Sequence, residues 1–219
     1  MLNEKINSKK ILIALAKGRI LYEAISLLRD IGVEVSDSEI ESRKLKIKTN
    51  RANLDLLVVR AADVPTYVDY GAADIGITGK DILLESDTNG YYEPLDLKIS
   101  KCKLCVAGPN KIRPDLPVLR VATKYPRLAN NYYQKIGIQA EIITLYGSME
   151  LAPIVGLADE IFDLVDTGKT LKANNLFVID NIKDISSRLI VNKAALKVKP
   201  IEINNIIDAL KDVIKGKDG

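Results

Sequence analysis

The chain has 219 residues, 47% hydrophobic and 28% charged, with a net charge of +3. This length is enough for one large domain or two small lobes with a substantial core, and the composition is ordinary for a globular protein. A net charge this small, without a dense block of Lys and Arg, argues against a nucleic acid partner. No apolar run reaches the ~20 residues of a membrane span, and the N-terminus does not fit a signal peptide, so we expect a cytoplasmic protein that does not bind membranes.

The chain contains no histidine, and this restricts the chemistry available to it. The usual general base, the Ser-His and Cys-His pairs and a frequent zinc ligand are all excluded. Cys102 and Cys105 form a C-x-x-C, but zinc would need a second ligand pair, and side chains at this spacing on a strand face opposite sides. We therefore interpret both cysteines as structural. A reaction whose nucleophile needs no deprotonation suits the remaining carboxylates, lysines, arginines and hydroxyls.

The first half of the chain alternates between apolar strands and amphipathic helices. Continuous or alternating apolar residues predict strands at 11–15, 45–47, 54–59 and 75–77. Helical spacing predicts helices that begin near residues 20, 63 and 80. Asp63 is placed to cap the second of these helices, and Gly32 and Gly71 are placed to follow the first two.

The second half of the chain repeats this rhythm. We predict strands at 104–107, 119–122, 142–145, 161–165, 176–179 and 189–191. We predict helices at 127–136, 149–157 and 201–214, and residues 110–117 are the most loop-like segment. Such alternation predicts an α/β fold in which helices cover a mainly parallel sheet.

The strand at 161–165 runs directly into the turn 166–170 (DTGKT), and a helix is predicted from Leu171. A strand, a glycine-containing turn and a helix start direct backbone N–H groups and the positive end of the helix into one concavity. Thr167 and Thr170 can donate two more hydrogen bonds, and Gly168 lets the backbone approach a ligand closely. The turn therefore suits a phosphate monoester.

Spacing alone leaves a structural interpretation of this turn open. It has neither the spacing of a Walker A loop nor that of a Rossmann turn, and T-G-x-T is also an ordinary turn sequence. Asp163 and Asp166 beside it favour a functional interpretation. Carboxylates next to a phosphate loop suit a ribose diol or a hydrated Mg²⁺ ion.

Several other polar residues have both a functional and a structural interpretation. Lys17, Gly18 and Arg19 follow the first strand, at the edge where open α/β sheets bind ligands, although a solvated loop is the commoner outcome for such a sequence. Arg43 lies among lysines that indicate an exposed basic strand. Glu150 lies in the first turn of a predicted helix, where a carboxylate is favoured electrostatically whatever its role.

The segment 150–171 (ELAPIVGLADEIFDLVDTGKTL) resembles the phosphoribosyl-pyrophosphate motif of the ATP phosphoribosyltransferases, the enzymes of the first step of histidine biosynthesis. Further stretches resemble the family in the same order over nearly the whole chain. They are AKGR at 16–19, SRKL at 42–45, RAADVP at 60–65, GAADIGITGKD at 71–81, ATKY at 122–125 and LYGSME at 145–150.

The resemblance implies a fold and a reaction. The fold would be a two-lobed α/β architecture like that of type II periplasmic binding proteins, with the active site in the cleft between the lobes. Residues 1–97 and 186–219 would form one lobe, and residues 98–185 the lobe that carries the phosphate loop. In the reaction, adenine N1 of ATP would attack the anomeric carbon of phosphoribosyl pyrophosphate, giving phosphoribosyl-ATP and pyrophosphate.

The resemblance also implies roles for particular residues. Arg19 and Arg43 would be the catalytic cations that hold the triphosphate and the departing pyrophosphate. The residues that bind ATP would be Lys17, Gly18 and Arg19. The residues that bind phosphoribosyl pyrophosphate would be Glu150, Asp163, Asp166, Thr167, Gly168, Lys169 and Thr170. The Mg²⁺ cofactor would be bound mainly through substrate phosphates, so no metal site made of protein ligands is expected.

The resemblance is to the short form of the family, since the additional C-terminal domain of longer members, which senses histidine, is missing here. In short forms that role belongs to a separate subunit resembling histidyl-tRNA synthetase, so we expect a homodimer within a hetero-octamer. A non-catalytic binding protein of the same fold is the main alternative, because GAADIGITGKD is also similar to solute-binding proteins. A phosphoribosyltransferase that acts on a different base is a third.

Overall fold

The computed structural model describes residues 10–42 and 44–217 of the chain. The chain divides into two compact units, the first formed by Met1–Ser100 with Ser186–Gly219 and the second by Lys101–Ile185. Each unit has its own β-sheet. Arg43 lies outside the described residues, so its predicted role is not addressed by the fold.

The first unit begins with β1 (Ile11–Ala16), α1 (Arg19–Asp30), α2 (Asp37–Glu41), β2 (Lys46–Lys48) and β3 (Leu54–Val59). It continues with α3 (Val64–Asp69), β4 (Ile75–Gly79), α4 (Lys80–Glu85) and β5 (Tyr91–Asp96). The second unit contains β6 (Cys102–Gly108), β7 (Leu119–Thr123), α5 (Pro126–Lys135), β8 (Ala140–Thr144), α6 (Leu151–Ile154), β9 (Glu160–Val165), α7 (Lys169–Ala173) and β10 (Phe177–Ile185). The chain then returns to the first unit with β11 (Ser187–Asn192), α8 (Lys193–Val198) and α9 (Pro200–Lys217).

The sheet of the first unit has the strand order β2-β3-β1-β4-β11-β5. β1 is parallel to both β3 and β4, while β2, β11 and β5 pair antiparallel to their neighbours. Three of the five strand pairings in this sheet are therefore antiparallel, against the prediction of a mainly parallel sheet. The chain enters β2 and β11 from connections other than the helical crossover that a parallel pair requires.

The core of the first unit lies between this sheet and the apolar faces of α1 and α9. α1 buries Leu21, Ala24, Ile25 and Leu28, which recur at helical spacing. It ends as predicted, with Gly32 at a positive φ of 72°. Asp63 was predicted to cap α3, but its side chain makes no cap hydrogen bond, because a short 3-10 helix (Ala61–Asp63) leads straight into α3.

The sheet of the second unit has the order β10-β6-β9-β7-β8. β7 is parallel to β8 and β9, and β6 is antiparallel to both β9 and β10. Three strands that run in the same direction end at the same edge of the sheet. The loops that follow β7, β8 and β9 therefore share this edge, and they contain three of the segments singled out in the sequence.

Two predicted element bounds near this edge are corrected by the structure. α7 begins at Lys169 and not at Leu171, because Gly168 takes the left-handed conformation at the N-cap position. The helix predicted at 149–157 is reduced to α6, which places Glu150 just before the helix and not in its first turn. Gly156, at a φ of 72°, closes that segment. The elements α2, β5 and α8 were not predicted.

Cys102 and Cys105 both lie on β6, and neither is in a disulfide. Cys105 is buried, and its thiol donates to Oδ1 of Asn181 on the neighbouring strand at 3.3 Å. Burial raises the pKa of the Cys105 thiol above its ordinary value. No helix within residues 10–42 and 44–217 combines the length and the hydropathy that crossing a bilayer requires.

Candidate functional site

The turn after β9 forms one wall of a cavity of about 190 Å³ in the second unit. All of residues 166–170 line it, together with Glu150 and Asp163. This volume is below the ~300 Å³ at the lower end of typical small-molecule pockets, so the unit by itself accommodates only a small group. The structure thus brings together every residue that the sequence assigned to phosphoribosyl pyrophosphate.

The turn is anchored to the core by the residues that follow it. Leu171 is buried in an apolar cluster with Leu176 and Ile161, and the backbone N–H of Leu176 donates to the Leu171 carbonyl at 2.9 Å. Gly168 has a φ of 70°, a conformation that side-chain-bearing residues rarely adopt. Buried anchors on both sides of an exposed turn allow its hydroxyls and backbone N–H groups to face the cavity.

Asp163 is a mostly buried carboxylate in the wall of the same cavity, with 20% of its side chain exposed. Its Oδ1 lies 3.3 Å from Nζ of Lys124, close enough for an ion pair, yet this oxygen accepts no hydrogen bond from any described residue. The contact is an ion pair whose angles lie outside those of a hydrogen bond. Burial raises the pKa of the Asp163 carboxyl, Lys124 opposes that rise and Glu150 adds to it.

Lys124 is the residue at this edge that the sequence did not assign to the site. It directly follows β7, whose last residue, Thr123, pairs with Phe162 in the parallel register, so Lys124 comes next to Asp163. Thr123 fixes the turn after β7, since its hydroxyl donates to the Phe162 carbonyl at 2.7 Å and accepts from the Tyr125 N–H at 2.8 Å. The Lys124 ammonium lies 4.9 Å from the centre of the Tyr125 ring.

The opposite end of β9 carries a second carboxylate, Glu160, which is fully buried. Arg113 Nε donates to its Oε1 at 2.8 Å, and the Tyr133 hydroxyl donates to its Oε2 at 2.6 Å. Burial, reinforced by the Glu160 carboxylate, raises the pKa of Tyr133, so the hydroxyl remains a donor. The same guanidinium donates to the Tyr132 hydroxyl at 3.2 Å. This network fixes the loop-like segment 110–117 to the sheet.

In the first unit, two of the three predicted ATP-binding residues line a cavity, and the third follows them at the start of α1. Lys17 and Gly18 line a cavity of about 260 Å³ at the carboxyl ends of β1 and β3, and Lys44 also lines it. Arg19 begins α1 with 46% of its side chain exposed, and its Nε lies 3.5 Å from Oε1 of Glu23. The Lys17 N–H donates to the Val59 carbonyl at 2.9 Å, which fixes the start of the loop.

The described residues contain no group of three or more His, Cys, Asp and Glu side chains that could hold a metal ion. Mg²⁺ frequently binds through one or two carboxylates and the phosphates of a substrate, with several waters retained. The carboxylate of Asp166, which is exposed and lines the cavity, fits an ion delivered in that way.

Comparison with known proteins supplies the family context of this geometry. Residues 60–212 match the family model described as ATP phosphoribosyltransferase. An ATP phosphoribosyltransferase from Nitrosococcus oceani is 52% identical over 207 residues, which cover 94% of this chain and 97% of the relative. One from Marinobacter nauticus is 53% identical over 205 residues, covering 94% and 96%.

Solved structures give the same family and a broader fold class. A chain described as an ATP phosphoribosyl transferase (HisG:HisZ) complex from Thermotoga maritima has a TM-score of 0.81 at 33% identity, covering 94% of this chain and 99% of that one. A putative periplasmic sulfonate-binding protein from Methylobacillus flagellatus has a TM-score of 0.62 at 17% identity, covering 94% and 68%. The second likeness shows the fold alone, and it confirms the predicted type II periplasmic-binding-protein-like α/β fold.

Proposed function

Because the chain belongs to the ATP phosphoribosyltransferase family, we propose that the cavity at residues 166–170 binds the 5-phosphate of phosphoribosyl pyrophosphate. The family transfers the phosphoribosyl group of this substrate to N1 of ATP, releasing pyrophosphate, in the first step of histidine biosynthesis. The observation that carries the proposal is the coincidence of the family's phosphate motif with a small cavity lined by two hydroxyls, a left-handed glycine and a helix start.

The proposed roles follow from the donors and acceptors around the cavity. Thr167, Thr170 and the backbone N–H groups of the turn donate to the phosphate, and Lys169 neutralises part of its charge. Asp163, whose side chain is 20% exposed and lines the cavity, accepts from the ribose hydroxyls. Glu150 lines the same cavity. The substrate would then be held at its phosphate and at its diol, and the anomeric carbon would be fixed between them.

The first unit would supply the groups that bind ATP. We assign Lys17 and Gly18 to the ATP phosphates because they line the cavity after β1, and Arg19 and Arg43 to the triphosphate and the departing pyrophosphate. Adenine N1 carries a lone pair, so its attack requires no general base, which suits a chain without histidine. Catalysis would rest on positioning and on charge neutralisation of the leaving group.

Mg²⁺ is the proposed cofactor, bound mainly through the pyrophosphate oxygens, with Asp166 accepting hydrogen bonds from its water molecules. When bound, the ion would lower the charge of the leaving pyrophosphate. Asp166 lies at the cavity and is exposed, so it can reach a hydrated ion without being desolvated.

We further propose that the protein is a short-form catalytic subunit that acts with a regulatory subunit resembling histidyl-tRNA synthetase. Support comes from the Thermotoga maritima structure, which is described as a complex and whose chain this protein covers to 99%. A homodimer within a hetero-octamer is the proposed assembly. The expected result is higher activity, with histidine sensitivity, only after the partner is added. Full histidine-sensitive activity of the isolated chain would contradict it.

The first experiment is mass spectrometry of the products formed from ATP, phosphoribosyl pyrophosphate and Mg²⁺. Wild-type protein should form phosphoribosyl-ATP, and the Thr167→Ala, Thr170→Ala double variant should lose about 10²–10⁴-fold of the activity, since hydrogen bonds to a charged group contribute about 1.5–3 kcal/mol each. Thr66→Ala, at an exposed position of α3, is the matched control and should leave the rate unchanged. Absence of product, even with the regulatory partner, would favour a non-catalytic binding protein.

A further inference from the structure

The cavity at residues 166–170 has an unfavourable charge balance for an anionic ligand. Three carboxylates, from Glu150, Asp163 and Asp166, line it, against the single ammonium of Lys169. Two of these carboxylates, Glu150 and Asp163, are at least partly buried, so water screens them less than it screens Asp166. A phosphorylated sugar can bind here only if at least one of them is balanced by a nearby cation and engaged by the sugar.

Lys124 is placed to balance Asp163. Lys124 directly follows β7, which is parallel to the strand of Asp163, and the two charged atoms are 3.3 Å apart. The Lys124 side chain is 36% exposed and lies over the ring of Tyr125, which is itself buried and held by the Thr123 hydroxyl. Lys124 does not line the cavity, so it would act on a ligand there indirectly, through its ion pair with Asp163.

We propose that Lys124 is a positioning residue that keeps Asp163 ionised and turned toward the ribose hydroxyls of the substrate, an inference that rests on the function proposed for this cavity. The ammonium and Oδ1 form an ion pair at 3.3 Å, and Oδ1 itself is closed to solvent. Lys124 therefore stabilises the carboxylate as an anion from its buried side. The sugar would meet the 20% of the Asp163 side chain that is exposed at the cavity wall.

The other charged groups near Asp163 do not supply this balance. Glu150, which precedes α6, acts in the opposite direction to Lys124 and raises the pKa of Asp163 further, in addition to the larger effect of burial. Asp166 and Lys169 line the cavity from the turn and from α7. On the remaining side β6 presents Cys105, the register partner of Asp163, as a thiol.

The test compares two ligands that share the phosphate but differ in the diol, ribose 5-phosphate and inorganic phosphate, by titration calorimetry. Lys124→Met should weaken ribose 5-phosphate about tenfold, the size of one lost charge-assisted hydrogen bond, and leave inorganic phosphate within about twofold of wild type. Lys124→Arg should restore most of the ribose 5-phosphate affinity. Lys135→Met, which removes an exposed lysine from α5 of the same unit, should change neither ligand.

A pH series separates positioning through Asp163 from a direct contact with phosphate. The affinity for ribose 5-phosphate, divided by that for inorganic phosphate, should fall as pH is lowered and Asp163 is protonated. In Lys124→Met the fall should begin at a higher pH, because the Lys124 charge lowers the pKa of the Asp163 carboxyl. Equal weakening of both ligands by Lys124→Met, with no displacement of the pH dependence, would show that Lys124 contacts phosphate directly and would overturn the proposal.

Failure of this inference is distinguishable from failure of the proposed function. If wild-type protein forms phosphoribosyl-ATP and binds both ligands, but Lys124→Met matches wild type in the affinity ratio at every pH, only the role of Lys124 is wrong. If wild-type protein binds neither ligand, the assignment of the cavity itself is wrong. Thermal unfolding of each variant is recorded alongside, and a lowered melting temperature without a changed affinity ratio also counts against the proposal.

Discussion

The two ends of β9 carry carboxylates with opposite surroundings. At the amino end, Glu160 is fully buried and each of its oxygens accepts a hydrogen bond, from Arg113 and from Tyr133. Three residues later and on the other face of the sheet, Asp163 is also largely buried, but its Oδ1 accepts no hydrogen bond from the described part of the chain. One strand thus presents a satisfied carboxylate and an unsatisfied one.

The difference shows how to separate a structural carboxylate from a ligand-binding one. Burial alone does not discriminate, because both groups are desolvated. A buried acceptor without a donor carries a free-energy cost that a folded protein ordinarily avoids, and Asp163, unlike Glu160, also exposes part of its side chain at a cavity. We therefore expect substitutions at Glu160 to change stability, and substitutions at Asp163 to change ligand binding and activity.

The largest expected effect is on stability at the amino end of β9. Glu160→Gln removes the charge that balances Arg113 while keeping the side-chain volume, and breaking a buried ion pair costs about 3–5 kcal/mol. Because 20% of the Arg113 side chain is exposed, the lower end of that range applies. Urea unfolding measures the loss, with Glu141→Gln at an exposed position of β8 as a control that should change stability by less than about 0.5 kcal/mol. Equal losses of stability in Glu160→Gln and Glu141→Gln would show that the buried Glu160 carboxylate contributes no more to stability than an exposed one.

The next effect is on activity at the carboxyl end. Asp163→Asn should lower kcat/KM for phosphoribosyl pyrophosphate about 10–150-fold, as expected for the loss of one charge-assisted hydrogen bond, with stability unchanged or slightly higher. Steady-state kinetics and urea unfolding on the same sample measure both. Asp115→Asn, at an exposed position of the loop-like segment, is the control. A large loss of stability in Asp163→Asn would assign this carboxylate to the core.

A smaller effect is expected when only the second donor to Glu160 is removed. Tyr133→Phe deletes the hydroxyl that lies 2.6 Å from Oε2 and leaves that buried oxygen with one partner fewer, at a cost of about 1–3 kcal/mol. Tyr146→Phe, whose side chain is 92% exposed, should have no measurable effect on the unfolding midpoint. A Tyr133→Phe variant as stable as wild type would mean that Arg113 alone satisfies Glu160.

The smallest effect is the pH dependence of stability, and it should have opposite signs at two neighbouring aspartates. The pKa of Asp163 is raised in the folded protein by burial, so its contribution to stability is present at low pH and is lost as pH rises through that pKa. The pKa of Asp159 is lowered by hydrogen bonds from Arg120, so its contribution is present above the unfolded value of about 3.9 and is lost as pH falls.

The two Asn variants make this difference measurable. Relative to wild type, Asp163→Asn should be more stable at pH 7 than at pH 3.5, by roughly 1 kcal/mol or less, and Asp159→Asn should be less stable at pH 7 than at pH 3.5. Urea unfolding across this range gives both trends. The same sign for both variants would contradict the opposite environments of the two carboxylates.

The strand, turn and helix start at residues 161–170 could be predicted from sequence because every part of them is local. A continuous apolar strand, a glycine and two threonines lie within ten residues, and the same short segment contains Asp163. The helix bound was wrong by two residues, since the left-handed conformation of Gly168 sets the start of α7. No pattern of propensities specifies which residue of a T-G-K-T turn adopts that conformation.

Long-range contacts explain what the sequence did not reveal. Lys124 lies 39 positions before Asp163, and only the parallel pairing of β7 with β9 brings them together. Arg113, Tyr133 and Glu160 form one network from three separate elements, and none of them stands out in composition or periodicity. The mixed sheets escaped prediction for the same reason, since strand direction is set by crossovers between distant segments and not by the strands themselves.

The thiol of Cys105 gives this protein an internal probe of sheet opening. Cys105 is 2% exposed and lies on β6, which is between β9 and β10 in the sheet. Its thiol donates a hydrogen bond to Asn181 on β10, the edge strand. A thiol reagent can reach it only after local opening of this unit, so in a Cys102→Ser background the labelling rate gives the free energy of that opening. Ligand bound at the turn after β9 should slow the labelling to the extent that it stabilises this sheet.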